Sequence, residues 1–331
     1  AISAAATTFN LSVAVAVGDQ LVSAYTNETL PLADPESDVW RLATPVDVPL
    51  SGQTQIAPMN PDSTVTSMTV RSLNDGKWIA FLMEWADPTR DEGGGLLDFK
   101  DSAAIQFPSV AGEPFYCMGM SGGTVEILHW RSDFQRDIEV CMPNAKDIFP
   151  DMWYSIYPGG TDRAYRTGEG AGNPLSLSDK TTPVEDLVAG GFGTLTSQVH
   201  DDAVGWATWE DGIWKSVVAR PMITIDAEDA QFEAGMETSV ALAAWDGGKD
   251  EIDGKKSVST WVSLRIDGPA VGQGAVTVGP PPPPITLPAP DAQIIVQSEF
   301  PRSFVWSMMV IFAIAVVGVG GVTWTLARRT K

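Results

Sequence analysis

Thr64-Val-Thr-Ser-Met-Thr-Val-Arg-Ser-Leu-Asn-Asp-Gly-Lys-Trp-Ile-Ala-Phe-Leu-Met-Glu-Trp85 is the stretch whose reading decides the fold. Its two runs, Thr64–Ser72 and Trp78–Trp85, are short and rich in β-branched, aromatic and other apolar residues, which suit a pleated, half-buried surface. Between them stands Asn74-Asp75-Gly76, residues that tolerate the backbone of a tight reversal. The pair therefore reads as a hairpin. The same pattern recurs at Thr124–Trp130, Trp214–Arg220, Thr238–Trp245 and Ser257–Arg265. Asp211-Gly212, Asp246-Gly247-Gly248 and Asp253-Gly254 punctuate these runs, and helical periodicity is scarce. Many short strands between turn signals predict an all-β chain, a β-sandwich or barrel.

Composition narrows the function. With 331 residues, 44% hydrophobic and 19% charged, the chain can bury a substantial core. Its 42 acidic against 21 basic residues give a net charge of −21, which excludes the basic stripe that nucleic-acid binding needs. Two cysteines, Cys117 and Cys141, are too few for a disulfide scaffold or a four-cysteine iron–sulfur centre. There is no CxxCH for covalent haem attachment and no phosphate-loop, HExxH or GxSxG motif. Only His129 and His200 are present, so a histidine-rich catalytic metal site cannot be built.

The C-terminal region has its own signature. Phe304–Ala327 is uncharged and mostly apolar, and at about 1.5 Å per residue it reaches roughly 36 Å as a helix, enough to cross a bilayer. Trp306 and Trp324 stand near its ends, and Arg328, Arg329 and Lys331 follow it. The positive-inside rule then places the tail in the cytoplasm and the large N-terminal part outside. Ahead of this segment, five consecutive prolines within Val278–Pro290 enforce an extended spacer. The start at Ala1 rather than Met fits a removed signal segment. The expected organisation is an N-terminal extension (1–37) whose run Leu11–Val17 adds an edge strand, a β-sandwich domain (38–277), a proline-rich linker (278–302), a transmembrane helix (303–327) and a cytoplasmic tail (328–331).

Few residues carry chemistry. Read as one strand, Lys255–Ile266 places Lys256, Val258, Thr260, Val262 and Leu264 on one face. A lysine there snorkels out, pairs with a carboxylate, or sheds its proton and serves as a neutral ligand. In Phe115-Tyr-Cys-Met-Gly-Met-Ser-Gly-Gly-Thr124, the methionines read either as flexible core fillers or as soft thioether ligands suited to haem iron. Cys117 and Cys141 either pair as a disulfide, which an extracytoplasmic location permits, or remain buried thiols. His200 reads as a solvated loop residue beside Asp201 and Asp202, and His129 as a strand residue that packs or hydrogen-bonds.

Six stretches in order resemble one family. They are "DVWRLATPVDVPLSGQ" (38–53), "WADPTRDE" with "FKDSAAIQFP" (85–108), "MGMSGGTVEILHWRSD" (118–133), "DLVAGGFGTLT" (186–196), "EDGIWKSVVARP" (210–221) and "AAWDGGKDEIDGKKSVSTW" (243–261). The chain resembles the haem b-binding gamma subunits of the ethylbenzene dehydrogenase and dimethylsulfide dehydrogenase type. Their partners are a molybdenum alpha subunit and an iron–sulfur beta subunit. The resemblance implies a β-sandwich holding one non-covalent haem b between a methionine and a lysine. The methionine would correspond to Met118, with Met120 its near competitor. The lysine would correspond to Lys256, with Lys215 and His200 in reserve. Such a subunit transfers electrons and is not catalytic on its own. Soluble members lack an anchor; the spacer and apolar segment here look more like membrane-bound nitrate reductases or nitrite oxidoreductases that face outward. An external cytochrome c or quinone-linked carrier would then exchange electrons with the domain, and the negative charge would favour a basic one. Two competing readings are a stand-alone membrane-tethered respiratory cytochrome b and a cofactor-free adhesive or carbohydrate-binding β-sandwich.

Overall fold

The computed structural model describes residues 20–95, 97–143, 145–151, 167–198 and 201–269. The predicted hairpin is formed by β4 (Ser67–Asn74) and β5 (Trp78–Ala86), antiparallel with Ser72 opposite Phe81 and Asn74 opposite Ile79. Gly76 has φ +81°, and Asp75 Oδ1 accepts from the backbone N–H groups of Lys77 and Trp78 at 2.8 and 2.7 Å. The turn signal thus works as its residue types require.

Around this hairpin the chain is predominantly β, with few and short helices among the described residues. One sheet runs β10 (Val204–Glu210), β11 (Ile213–Pro221), β5, β4, β1 (Gln20–Tyr25) and β14 (Val262–Ile266). The other runs β12 (Glu237–Trp245), β6 (Ser102–Pro108), β7 (Val125–Arg131), β8 (Val184–Ala189) and β9 (Thr196–Ser197). Strand β12 joins them, pairing with β14 through Glu237–Val240 and with β6 through Ala241–Trp245.

The sheets pack face to face. Period two sends Ile79, Phe81, Met83 and Trp85 of β5 into a core shared with Ile105 and Phe107 of β6 and Leu128 and Trp130 of β7. Phe81 meets Phe107 at 5.4 Å, and Trp130 lies 4.8 Å from Trp214 across the interface. The opposite face of β5 packs Ala80 and Leu82 beneath Leu30, Trp40 and Ala43. Each large side chain sealed this way contributes roughly 1.5–3 kcal/mol.

β1 lies inside the sheet, parallel to both β4 and β14. One expectation is corrected. Lys255–Ile266 is not one strand. It breaks at Ser259–Trp261 into β13 (Ser257–Val258), which pairs with β12 in the second sheet, and β14, which pairs with β1 in the first. Val258 therefore packs on the outer face of the second sheet, while Leu264 belongs to the central core. Among the described residues no helix is long and apolar enough to cross a membrane. The expected edge strand Leu11–Val17, the linker 278–302, the helix 303–327 and the tail 328–331 lie outside the described residues.

Candidate cofactor site

The outer face of the second sheet floors a cavity. Alternation along β6, β7 and β12 turns Ala104, Gln106, Ile127, His129, Ala243 and Trp245 away from the core and into a space of about 710 Å³. That volume lies in the range of cofactor sites, about 300–1,000 Å³. Residues 53–58, 116–118, 192–195 and 251–256 complete its walls. A pocket in the core between the sheets, the simplest form of a haem-holding sandwich, is not what the fold builds; that core is filled by aromatic rings.

Met118 reaches the cavity from a turn with unusual backbone. Its φ is +75°, a left-handed value that costs an L-residue about 1–2 kcal/mol. Hydrogen bonds hold it there: Gly119 N–H donates to Phe115 O at 3.0 Å, and Gly191 N–H donates to Met118 O at 2.8 Å. Gly119 has φ +69°, and a Cβ on it would stand 2.7 Å from Gly123 O. Glycine is required there for both reasons. The strain places one thioether in a chosen direction, as backbone outliers at working sites do.

Lys256 approaches from the other wall. Its carbonyl accepts from Gln53 N–H at 2.9 Å, and its Nζ lies 3.6 Å from Met118 Sδ and 5.1 Å from the Trp245 ring. Among the described residues it forms no ion pair, although it is only 8% exposed. Burial lowers its pKa below the ordinary lysine value, partly countered by Cys117 and Asp253. An amine so placed is inclined to lose its proton and become a lone-pair donor.

The adjoining wall carries three further polar residues. Arg131 pairs with Asp133 and Glu185 at 2.9 and 2.8 Å, and Lys100 lies 3.8 Å from Asp133. His129 stacks against Trp245 at 4.9 Å, and its buried Nε2 has no hydrogen-bond partner. Burial holds its pKa well below the usual histidine value, helped by the Arg131, Lys100 and Lys256 charges. It is therefore a neutral imidazole with an unused polar atom, which fits an occupant that is not protein. A soft sulfur, a deprotonable amine and an apolar floor are together a donor set suited to haem iron.

The other candidates are sorted by the fold. Met120 is 52% exposed and bridges Gly123 at the tip of the turn, outside the cavity walls. Lys215 stands on β11 in the first sheet, bound to Glu36 at 2.8 Å. His200 lies outside the described residues. The disulfide is not formed: both cysteines are free, Cys117 buried in the cavity wall and Cys141 exposed at the end of helix α1 (Ser132–Val140). The whole of β7 and α1 intervenes between them. Burial raises the Cys117 thiol pKa, with Lys256 opposing. Sequence reasoning passed over His129, Arg131, Lys100 and Trp245 as cavity residues. Alternation along β7 from Ile127 would have grouped His129 with Arg131, but it does not say which face is roofed.

Comparison with known proteins identifies the family. A model of the ethylbenzene dehydrogenase family matches residues 37–257. A Haloferax mediterranei protein that carries the name of a respiratory nitrate reductase heme subunit is 26% identical over 258 residues, 74% of this chain and 76% of its own length. Chlorate reductase subunit gamma of Ideonella dechloratans is 27% identical over 243 residues, covering 71% and 80%. Dimethylsulfide dehydrogenase subunit gamma of Rhodovulum sulfidophilum is 25% identical over 192 residues, covering 56% and 54%. Among solved structures, a family 9 carbohydrate binding module from Caldicellulosiruptor kristjanssonii in complex with glucose covers 75% of this chain and 96% of its own, with 8% identity. Its TM-score of 0.35 carries no argument. The family match takes in Met118, Lys256 and all but the end of the last stretch read from the sequence, and the chain belongs to the ethylbenzene dehydrogenase family, among its gamma subunits.

Proposed function

We propose that this chain is the electron-relay subunit of a molybdenum and iron–sulfur oxidoreductase complex of nitrate reductase or nitrite oxidoreductase type. In this reading Met118 and Lys256 would hold one non-covalent haem b through its iron. The observation that carries it is the convergence of Lys256 Nζ and Met118 Sδ, 3.6 Å apart in the lining of one cavity. A haem whose iron both residues held would supply one-electron transfer rather than substrate chemistry. Lys256 binds as the free amine, and the burial that lowers its pKa makes its proton easy to release. Met118 contributes a soft, uncharged sulfur held by its hydrogen-bonded turn. Trp245 and Ile127 keep the floor apolar, and His129 Nε2 offers a hydrogen-bonding atom to the occupant.

The partners follow from the same reading. Electrons pass between the iron–sulfur subunit and an external carrier, a cytochrome c or a quinone-linked protein. The net charge of −21 favours a basic one. Segment 303–327 tethers the domain to the outer side of the cell membrane, with residues 328–331 inside. The chain itself performs no substrate chemistry. The test is a visible spectrum of the purified chain with a pyridine haemochrome assay. A sharp reduced α-band and a b-type haemochrome are expected. A folded protein that stays colourless after haem addition overturns the reading in favour of a cofactor-free sandwich.

A further inference from the structure

A second constellation lies outside the cavity, in stretches that the haem reading leaves unused. Asp87 follows β5, Asp101 precedes β6 and Asp246 follows β12. β6 and β12 are paired neighbours in the second sheet and β5 packs against them from the first, so that one carboxylate oxygen from each of the three lies within 4.8 Å of the others. All three residues are buried, Asp87 to 1% exposure. Asp101 is gripped by donors: Oδ2 accepts from Asp91 N–H at 2.7 Å and Trp214 Nε1–H at 3.0 Å, and Oδ1 accepts from Gly247 N–H at 2.8 Å. Asp87 Oδ1 accepts from Thr89 N–H at 3.1 Å, while its buried Oδ2 accepts from nothing.

No lysine or arginine forms an ion pair with any of the three among the described residues. The contrast with the other buried acidic group is direct. Glu126, Asp186 and Asp229 also cluster, but Arg220 bonds both Glu126 and Asp229. The exposed Lys249 opposes the effect of burial on Asp246 through its charge but lies beyond ion-pair distance, and carboxylates drawn together without a paired cation cost several kcal/mol per uncompensated charge. A Cβ at Gly248 would stand 2.7 Å from Thr89 Oγ1, 2.8 Å from Asp91 Oδ2 and 3.3 Å from Asp246 Oδ1, so only glycine fits where the turn passes beside the cluster.

We infer that Asp87, Asp101 and Asp246 form a site for a divalent cation of the hard, oxygen-seeking class, calcium in preference to magnesium. Three carboxylates from three separate strand ends make an irregular all-oxygen set, which calcium accepts; magnesium demands near-octahedral geometry and retains its waters. The site has a structural consequence for the cavity. Lys100 directly precedes Asp101 and Trp245 directly precedes Asp246, and both line the cavity. A cation binding the three strand ends therefore braces that wall.

The experiment uses the purified full chain. Metal analysis after gel filtration in chelator-free buffer should find stoichiometric calcium. A calcium chelator should lower the melting temperature by on the order of 5–10 °C, and calcium should restore it at lower concentration than magnesium. Asp87→Asn should abolish the calcium response while keeping the β-rich circular dichroism of the native chain. Calorimetric titration of calcium into the chelator-treated native chain decides the matter if that variant does not fold. Absence of bound metal together with melting curves unmoved by calcium, magnesium or chelator would overturn the assignment and leave the carboxylates sharing protons. The outcome is independent of the haem spectrum, since the melt is read on the chain with or without colour.

Discussion

Arg220 and Lys256 are both buried cations, and the protein treats them in opposite ways. Arg220 is 0% exposed on β11, its Nη1 bound to both oxygens of Glu126 and its Nη2 3.4 Å from Asp229 Oδ2. Glu126 also accepts from Ala230 N–H at 2.7 Å, so the Arg220 charge is met by partners built into the fold. Lys256 is buried on the other side of the second sheet with a thioether and an indole face for company. An arginine cannot shed its charge, so its partners must be built into the fold. A lysine can, so its partner can be a metal that the fold only makes room for. The first is a structural cation; the second, in the proposed reading, is a haem ligand.

This contrast is open to attack, beginning with the largest effect. Arg220→Met leaves Glu126 and Asp229 buried without their counter-charge and should cost about 3–5 kcal/mol of stability, read as a shifted urea midpoint. Lys256→Leu should do the reverse: low-spin haem is lost from the spectrum while the haem-free chain melts at the same or higher temperature, because a buried cation has been replaced by an apolar side chain that cannot bind iron. A haem-free Lys256→Leu chain that melts well below the parent would break the comparison.

The core network also sets a pH dependence. Asp186, facing Glu126 and Asp229, has its pKa raised to about 9, chiefly by burial and then by those carboxylates. The unfolded chain ionises this group near its ordinary value of 3.8, so between about pH 4 and 9 the folded state holds the extra proton. Stability should therefore fall as pH rises through that window. Asp186→Asn should flatten the slope in melts taken at several pH values. The smallest effect belongs to Lys215→Ala. Its pair with Glu36 is largely exposed, so about 0–1 kcal/mol should be lost and any haem spectrum should stay unchanged.

The hairpin 64–85 was legible because its information is local: alternation, β-branching and a turn tripeptide all act within a few residues. The position of β1 was not, since a parallel strand inserted between β4 and β14 has partners that no nearby residue announces. Lys256 was picked out by treating Lys255–Ile266 as a single strand, an argument that the structure removes. At the break, Ser259 N–H donates to Leu242 O at 2.9 Å and its Oγ accepts from Leu242 N–H at 2.8 Å, and there the chain passes from one sheet to the other. The lysine is buried all the same, but on the outer face, for a reason that period two did not contain. The Cys117–Cys141 pairing failed in the same way, because cysteine counting carries no information about which wall each residue occupies.

The sequence by itself determined the β-rich class, the turn positions, the acidic charge and the family, because each depends on residue type and short-range order. Only the tertiary structure decided what meets what. Met118 and Lys256 are 138 positions apart and face each other because β12 crosses between sheets and β13 returns beside it. Asp87, Asp101 and Asp246 converge because β6 and β12 pair and β5 packs across the core against them. Periodicity assigns a side chain to a face; strand order alone assigns that face a partner.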